Sequence, residues 1–269
     1  MPVEPPIEVP ASLAEAYAIL AESTLDEPII PIAGGTDVMP RITGEIGEPP
    51  GRMIDLSRLE GLRGITVDGA AVIIGAATTY TEIRRSDACR EHLPALVEAA
   101  ATIGAAQIQN RGTLGGNLAN ASPAGDTLPV LLAYDAVVVT DRRSLAIDKF
   151  FTGYRKTALH PDELITAVRF PLGRLVEFRK VGTRAAQAIS KVVMAVSRSP
   201  ARIAIGSVAE MPLRARHAEA ALERNDVEGA IRAVAEDIRP IDDVRSTAAY
   251  RRAVTQNVLR ELLYAFARG

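Results

Sequence analysis

One cysteine, three histidines and no tryptophan occur among the 269 residues, and this scarcity excludes several kinds of site. Cys89 has no partner for a disulfide within the chain, which favours a reducing compartment and predicts a cytoplasmic protein. An iron–sulfur cluster needs about four thiolates, so this chain holds no such cluster by itself. His92, His160 and His217 lie far apart without ligand spacing, so no metal site is predicted.

Long apolar runs and a strong charge of one sign are also missing. No run reaches the roughly 18 apolar residues of a membrane span, and the acidic, proline-rich start of the sequence differs from a secretory signal. The net charge of −2 excludes a general electrostatic footprint for nucleic acid. Residues 1–173 carry 14 basic and 22 acidic side chains, whereas residues 174–269 carry 17 and 11. This asymmetry indicates either two domains that face different partners or ordinary solvated surface.

The composition is that of a globular protein, with 48% hydrophobic and 24% charged residues, and the length suits two domains. After Gly173 arginine becomes frequent and glycine rare, so we predict domains at 1–173 and 174–269. Ser12 and Glu15 form a capping-box pattern before a predicted helix at 13–20. Periodicity predicts strands at 28–33, 52–56, 71–75, 136–140, 164–170, 178–181 and 202–206, and helices at 93–103, 128–133, 213–222, 227–238 and 247–267. This mixture without strict alternation predicts an α+β fold.

Two glycine-rich segments carry the clearest sign of a ligand site. The first, residues 32–37, reads Ile-Ala-Gly-Gly-Thr-Asp and follows a predicted strand, and the second extends over residues 111–123. Consecutive glycines reach backbone angles that other residues avoid, and exposed N–H groups in such loops bind anions. Short polar side chains add hydrogen-bonding groups, namely Thr36, Thr113, Asn117, Asn120 and Ser122. The segments therefore predict a pyrophosphate site that needs no cationic side chain, with two tight polar turns as the alternative.

Common motifs for nucleotide binding and hydrolysis do not occur. The sequence contains no Gly-x-Gly, which excludes a Rossmann fingerprint, and it has neither a Walker A loop nor a Gly-x-Ser-x-Gly elbow. No acid–base pair is evident, and no residue is predicted to be catalytic. A nucleotide site in this chain must therefore be of another type.

The same segments resemble the FAD-binding medium subunits of the molybdenum hydroxylases, a family that includes xanthine dehydrogenases and carbon monoxide dehydrogenases. Residues 32–37 look like the first flavin loop of that family, and residues 113–126 resemble its second loop almost position for position. Similar blocks follow in order at 127–133, 150–157, 160–165, 178–184, 188–192 and 202–209. The resemblance therefore covers nearly the whole chain.

The resemblance implies a PCMH-type FAD-binding fold of two α/β subdomains, followed by a smaller α/β C-terminal domain. Both loops would surround the pyrophosphate and ribityl chain of FAD, and Asp126 would hydrogen-bond the cofactor. Leu164 and Lys180 match positions that line the flavin in xanthine dehydrogenases, although core packing for Leu164 and a solvated strand charge for Lys180 are alternatives. The implied cofactor-binding residues are Pro31, Ile32, Ala33, Gly34, Gly35, Thr36, Asp37, Val38, Thr113, Leu114, Gly115, Gly116, Asn117, Asn120, Ser122, Asp126, Leu164 and Lys180.

The resemblance further implies an oxidoreductase subunit that works in a heteromeric complex. A molybdopterin-binding large subunit would hold the molybdenum cofactor, and an iron–sulfur small subunit would hold 2Fe-2S clusters. This chain would carry electrons from those clusters through non-covalent FAD to NAD⁺ or another acceptor. The alternative is a self-sufficient FAD-dependent oxidoreductase of the same broad fold.

Two departures from the family pattern stand out. Gln109 occupies a position where relatives often carry arginine, and only residues 197–200 separate Val196 from Ala201, where relatives usually have a longer strand–turn–strand. The first departure concerns the anchoring of the second loop, and the second concerns the choice of electron acceptor.

Overall fold

A computed structural model describes residues 5–184 and 187–265, and its mixed helices and strands confirm the predicted α+β class. The helices in this part of the chain are α1 (Leu13–Leu20), α2 (Met39–Ile42), α3 (Tyr80–Arg85), α4 (Asp87–His92), α5 (Pro94–Ala101), α6 (Ala106–Arg111), α7 (Leu114–Asn120), α8 (Leu128–Ala133), α9 (Arg216–Glu223), α10 (Val227–Asp237) and α11 (Ala248–Ala265). The strands are β1 (Ile7–Glu8), β2 (Ile29–Ile32), β3 (Arg52–Asp55), β4 (Ile65–Asp68), β5 (Ala71–Gly75), β6 (Val137–Thr140), β7 (Ser144–Ala146), β8 (Phe151–Gly153), β9 (Lys156–Thr157), β10 (Ile165–Pro171), β11 (Glu177–Val181), β12 (Val192–Arg198), β13 (Ala201–Gly206) and β14 (Leu213–Arg214).

The strands form four sheets in the described chain. A parallel sheet has the order β1-β3-β2, and an antiparallel sheet has the order β4-β5-β10-β6-β7. The strands β8 and β9 form a hairpin, and β11-β12-β13-β14 is an antiparallel sheet. Helices α9, α10 and α11 follow that last sheet, whereas α3 to α8 lie between β5 and β6 along the chain.

Helix α1 packs on the small parallel sheet, and a separate small hydrophobic core lies between them. Ala16 and Leu20 on α1 pack with Ile29 of β2 and Ile54 of β3. The hydroxyl of Ser12 accepts from the backbone N–H of Glu15 at 3.2 Å. The predicted capping box forms only in part, because the Glu15 carboxylate accepts from the N–H of Ala11 at 2.7 Å instead of from Ser12.

Helix α8 is apolar on every side, and all six of its residues are buried. A helix of this kind requires cover all round. One side packs into the core under β5 and β10, and the other contacts β12 and β13 through Val193, Ala195 and Ala204. The predicted helix at 128–133 is confirmed, and its burial joins the two halves of the chain into one core.

Two segments differ from the sequence-based expectation. The predicted helix at 213–222 is wrong at its start, because Leu213 and Arg214 pair with Ile205 and Ala204 of β13, and α9 begins only at Arg216. No helix or strand is predicted for the polar segment 107–126, but most of α6 and all of α7 lie in it. Glycine is a poor helix former, so tertiary hydrogen bonds decide the conformation of α7.

Candidate functional site

Loop 1, residues 33–38, leaves the end of β2 with a run of unused backbone donors. Within the described chain, the N–H groups of residues 34–37 donate no hydrogen bond. Gly35 has a φ of +75°, in the left-handed region. Successive free N–H groups with a left-handed residue among them form a concavity that binds anions. Loop 1 therefore fits the pyrophosphate of a dinucleotide.

Gly34 brings loop 1 directly against Arg111 and the first residue of loop 2, which comprises residues 112–126. A Cβ added at Gly34 would lie 1.8 Å from the carbonyl oxygen of Arg111 and 3.1 Å from the backbone nitrogen of Gly112. Both neighbours are backbone atoms, so no rotamer change relieves the contact. The two glycine-rich segments are thus adjacent because residue 34 has no side chain.

Loop 2 begins in a different way from the sequence-based expectation. The N–H groups of Leu114 and Gly115 donate to the carbonyls of Thr78 at 3.1 Å and Ala76 at 2.8 Å, and the N–H of Gly116 donates to the Thr113 hydroxyl at 3.1 Å. These N–H groups, expected to face a ligand, are used inside the chain. The consecutive run of free backbone donors therefore lies in loop 1, and loop 2 adds side chains.

Asn117 is one of those side chains, and a hydrogen bond from Thr127 fixes it. The Thr127 hydroxyl donates to Asn117 Oδ1 at 2.9 Å, whereas Asn117 Nδ2 donates no hydrogen bond within the described chain. The buried hydroxyl of Tyr80 lies beside Thr127 and also has no hydrogen-bond partner there. Burial raises the pKa of Tyr80, so its hydroxyl stays protonated. The hydrogen bond from Thr127 fixes the orientation of the Asn117 side chain, so its amide nitrogen is free to donate to a ligand.

Asp37 and Asn120 connect the two loops through their side chains. Asn120 Nδ2 donates to Asp37 Oδ1 at 2.8 Å, and Arg155 Nη1 donates to Asn120 Oδ1 at 2.6 Å. Arg155 lies in the turn between β8 and β9 with a φ of +51°. Sequence reasoning predicted Asp37 and Asn120 but missed Arg155, although it lies in a block that resembles the family.

Asp126 and Lys180 lie together in a buried polar cluster. Lys180 Nζ is 2.5 Å from Asp126 Oδ2 and donates to the carbonyl of Thr102 at 3.0 Å. The hydroxyls of Ser190 and Thr102 also donate to the Asp126 carboxylate. Burial raises the pKa of Asp126, and the adjacent Lys180 ammonium opposes that rise. The Lys180 side chain is only 11% exposed, so the alternative of a solvated strand charge is wrong.

The remaining predicted positions occupy less distinctive places. Leu164 is 5% exposed and packs in the core with Ile54 and Leu20, which fits the alternative of core packing. The Ser122 hydroxyl accepts from the N–H of Ala124 at 3.3 Å inside loop 2. Four further positions lie along β2 and loop 1, with Pro31 exposed and Ile32, Ala33 and Val38 half-buried.

The two departures from the family pattern have local explanations. Gln109 is buried, donates to the carbonyls of Ala101 at 3.2 Å and Ile103 at 2.9 Å, and accepts from Arg84. It therefore anchors α6 to the preceding turn. The short connection between β12 and β13 is a tight hairpin, in which Arg198 pairs with Ala201.

Residues 5–184 and 187–265 contain no group of three or more histidine, cysteine, aspartate or glutamate side chains able to hold a metal ion. No helix in these ranges is long and apolar enough to cross a membrane.

Two family models match the chain almost end to end. Residues 4–173 match the FAD binding domain in molybdopterin dehydrogenase, and residues 177–266 match the CO dehydrogenase flavoprotein C-terminal domain. The first match contains loops 1 and 2 and Arg155, and the second contains Lys180 and Ser190.

Individual proteins are similar over the same length. The carbon monoxide dehydrogenase medium chain of Hydrogenophaga pseudoflava is 33% identical, over 96% of this chain and 96% of its own. The xanthine dehydrogenase FAD-binding subunit of Escherichia coli O157:H7 is 31% identical, over 94% of this chain and 92% of its own. A solved structure of the H. pseudoflava carbon monoxide dehydrogenase, which lacks the Mo-pyranopterin moiety, matches with a TM-score of 0.91 at 30% identity, over 100% of this chain and 99% of that chain. These matches confirm the predicted resemblance and the predicted FAD-binding fold with its C-terminal domain.

Proposed function

Because this chain belongs to the FAD-binding flavoprotein subunits of the molybdenum hydroxylases, we propose that it relays electrons from a partner's 2Fe-2S clusters to a soluble acceptor such as NAD⁺. FAD, when bound, supplies the reversible electron acceptance. The chain's own task is to bind the cofactor, orient it and keep water from its buried side.

The run of free N–H groups at residues 34–37 is the observation on which the assignment of the cofactor to loops 1 and 2 rests. In our proposal these groups hold the pyrophosphate, and the free amide of Asn117 adds a donor from loop 2. The Asp126 carboxylate and the Lys180 ammonium then orient the polar groups of the flavin end. Leu164 contributes apolar packing to the core that β2, the strand before loop 1, shares with α1.

Two observations support the relay role: the chain has a single cysteine, and its relatives are subunits of larger enzymes. One cysteine cannot ligate an iron–sulfur cluster, so the clusters must come from another subunit. The relatives are named as a medium chain and as an FAD-binding subunit, and each matches this chain over nearly its whole length. We therefore propose a large molybdopterin-binding partner and a small iron–sulfur partner.

We also propose a division of labour within the chain and a place in the cell. FAD binding falls to residues 1–173, and residues 174–269, which carry the excess of basic side chains, contribute Lys180 and a docking surface. The single buried cysteine supports a cytoplasmic location. Cell fractionation with an antibody against the chain checks the location.

An omission experiment tests the relay. The complex is purified from its native host, its subunits are separated, and substrate oxidation is measured after reconstitution with each subunit left out in turn. We expect the isolated chain to release FAD on acid treatment and to show at most dye reduction by NADH. Turnover of an organic substrate by this chain alone refutes the relay and favours a self-sufficient FAD-dependent oxidoreductase.

A further inference from the structure

A chain of side-chain hydrogen bonds links a cation to loop 1. Arg155 Nη1 donates to Asn120 Oδ1 at 2.6 Å, and Asn120 Nδ2 donates to Asp37 Oδ1 at 2.8 Å. The amide of Asn120 thus stands between a guanidinium and a carboxylate, and it accepts from one and donates to the other. The three residues come from loop 1, the end of α7 and the β8–β9 turn.

The Asp37 carboxylate in this series of hydrogen bonds lies where it disfavours a bound anion. Asp37 is the last residue of the run of free N–H groups at 34–37. A dinucleotide pyrophosphate carries negative charge, so an uncompensated carboxylate beside it repels the ligand. Like charges at short distance oppose binding as surely as opposite charges favour it.

Arg155 offsets this charge without occupying the donors of loop 1. Its guanidinium forms no direct salt bridge with Asp37 in the described chain, and it reaches the carboxylate through Asn120. Burial raises the pKa of Asp37, and the Arg155 guanidinium and the Asn120 amide oppose that rise. The positive charge is therefore felt at Asp37, and the backbone N–H groups stay free.

We propose that Arg155 is a positioning and charge-balancing residue of the cofactor site, which acts through Asn120 to keep the Asp37 carboxylate from repelling the pyrophosphate. This inference rests on the proposed seat of the pyrophosphate at loop 1. It adds a cation to a site that sequence reasoning expected to work without one.

A double-mutant cycle on the full-length chain tests this role. FAD dissociation constants are measured by flavin fluorescence for the wild type, Arg155→Ala, Asp37→Asn and the double variant, at low and high salt. We expect Arg155→Ala to weaken FAD about three- to fivefold at low salt, in the range of an exposed charge pair. The loss shrinks at high salt because solvent-exposed charges are screened. In the Asp37→Asn background the same change costs less than about twofold, because no carboxylate remains to be offset.

Matched controls separate this effect from a loss of fold. Arg142→Ala removes another exposed arginine, which pairs with Asp162 and Asp141, and we expect its FAD affinity and melting temperature to equal those of the wild type. Equal losses on Arg155→Ala with and without Asp37 overturn the proposal, because they indicate direct contact with the ligand.

A pyrophosphate probe distinguishes failure of this inference from failure of the site assignment. ADP carries the pyrophosphate without the flavin, and we expect it to compete with FAD for the wild type and less well for Arg155→Ala. Wild-type binding of FAD without competition by ADP contradicts the placement of the pyrophosphate at loop 1. Competition by ADP that is insensitive to Arg155 overturns the charge-balancing role alone.

Discussion

The contact between Gly34 and the backbone of Arg111 leads to a quantitative prediction for Gly34→Ala. The new Cβ would lie 1.8 Å from the Arg111 carbonyl oxygen, whereas an ordinary contact is about 3.4 Å, so loop 1 must move by roughly 1.6 Å. Overpacking of this kind costs about 1–3 kcal/mol, and the lower entropy of the unfolded alanine chain returns about 0.4–1 kcal/mol. We expect a net loss of about 1–2 kcal/mol in the free energy of unfolding.

FAD affinity should fall more than stability does. A hydrogen bond to the pyrophosphate tolerates only a few tenths of an ångström, so the displacement disrupts the donors at residues 34–37. Loss of two charge-assisted hydrogen bonds at about 1.5–3 kcal/mol each weakens FAD at least a hundredfold. Urea unfolding of the FAD-free protein and flavin titration measure the two quantities.

Gly51→Ala is the matched control for Gly34→Ala. A Cβ at Gly51 meets nothing within 4 Å, and Gly51 is not among the glycines with positive φ. We expect unchanged FAD affinity and unchanged or slightly higher stability. If Gly34→Ala binds FAD within twofold of the wild type, the packing of loop 1 against Arg111 does not shape the cofactor site.

Three further predictions concern buried polar groups. Hydrogen bonds from Arg143 hold the pKa of Glu163 at about 2, so its stabilisation is complete above the ordinary pKa of 4.5 and is lost as the pH falls toward 2. We expect a stability difference of about 3 kcal/mol between wild type and Glu163→Gln at pH 7, which narrows on acidification in urea unfolding. Asp126→Ala leaves Lys180 buried without its partner, so we expect unfolding to become easier by about 3–5 kcal/mol and FAD affinity to drop by about 1–3 kcal/mol in calorimetry; unchanged values contradict the buried pair. Tyr80→Phe removes an unpartnered hydroxyl and should leave stability unchanged or raise it by up to about 1 kcal/mol, whereas a clear loss indicates a hidden hydrogen bond to Thr127.

Local features of the fold were predictable because local sequence encodes them. The periodic apolar residues and the Ser12 cap specify α1, and the fully apolar run at 128–133 specifies α8. The strand at Leu213–Arg214 was mistaken for helix because its conformation comes from pairing with β13 and leaves no local signal. The helix α7 was missed because its glycines oppose a helix, and the local Thr113 cap is supplemented by tertiary hydrogen bonds from Leu114 and Gly115 that the sequence does not show.

The candidate site follows the same division. Both glycine-rich loops were found from sequence, and so were Asp126 and Lys180 as single positions. That these two residues form one pair, 54 residues apart along the chain, needed the fold. Arg155 was missed because its partner Asn120 is 35 residues away, and no short-range pattern marks a contact of that kind. The domain boundary at Gly173 stays a prediction.

Because both halves of the chain bury α8, the first half cannot complete its packing before the second half has been synthesised. A ribosome delivers the flavin-binding half first, at about 5–20 residues per second, but the face of α8 that contacts Val193, Ala195 and Ala204 stays uncovered until β12 and β13 have emerged. Lys180 and Ser190, which satisfy the Asp126 carboxylate, also arrive late. A nascent chain therefore exposes the apolar helix α8, which is prone to aggregate, and the unpaired Asp126 carboxylate. The proposed cofactor site is complete only after the last sheet has packed against α8 and supplied Lys180 and Ser190.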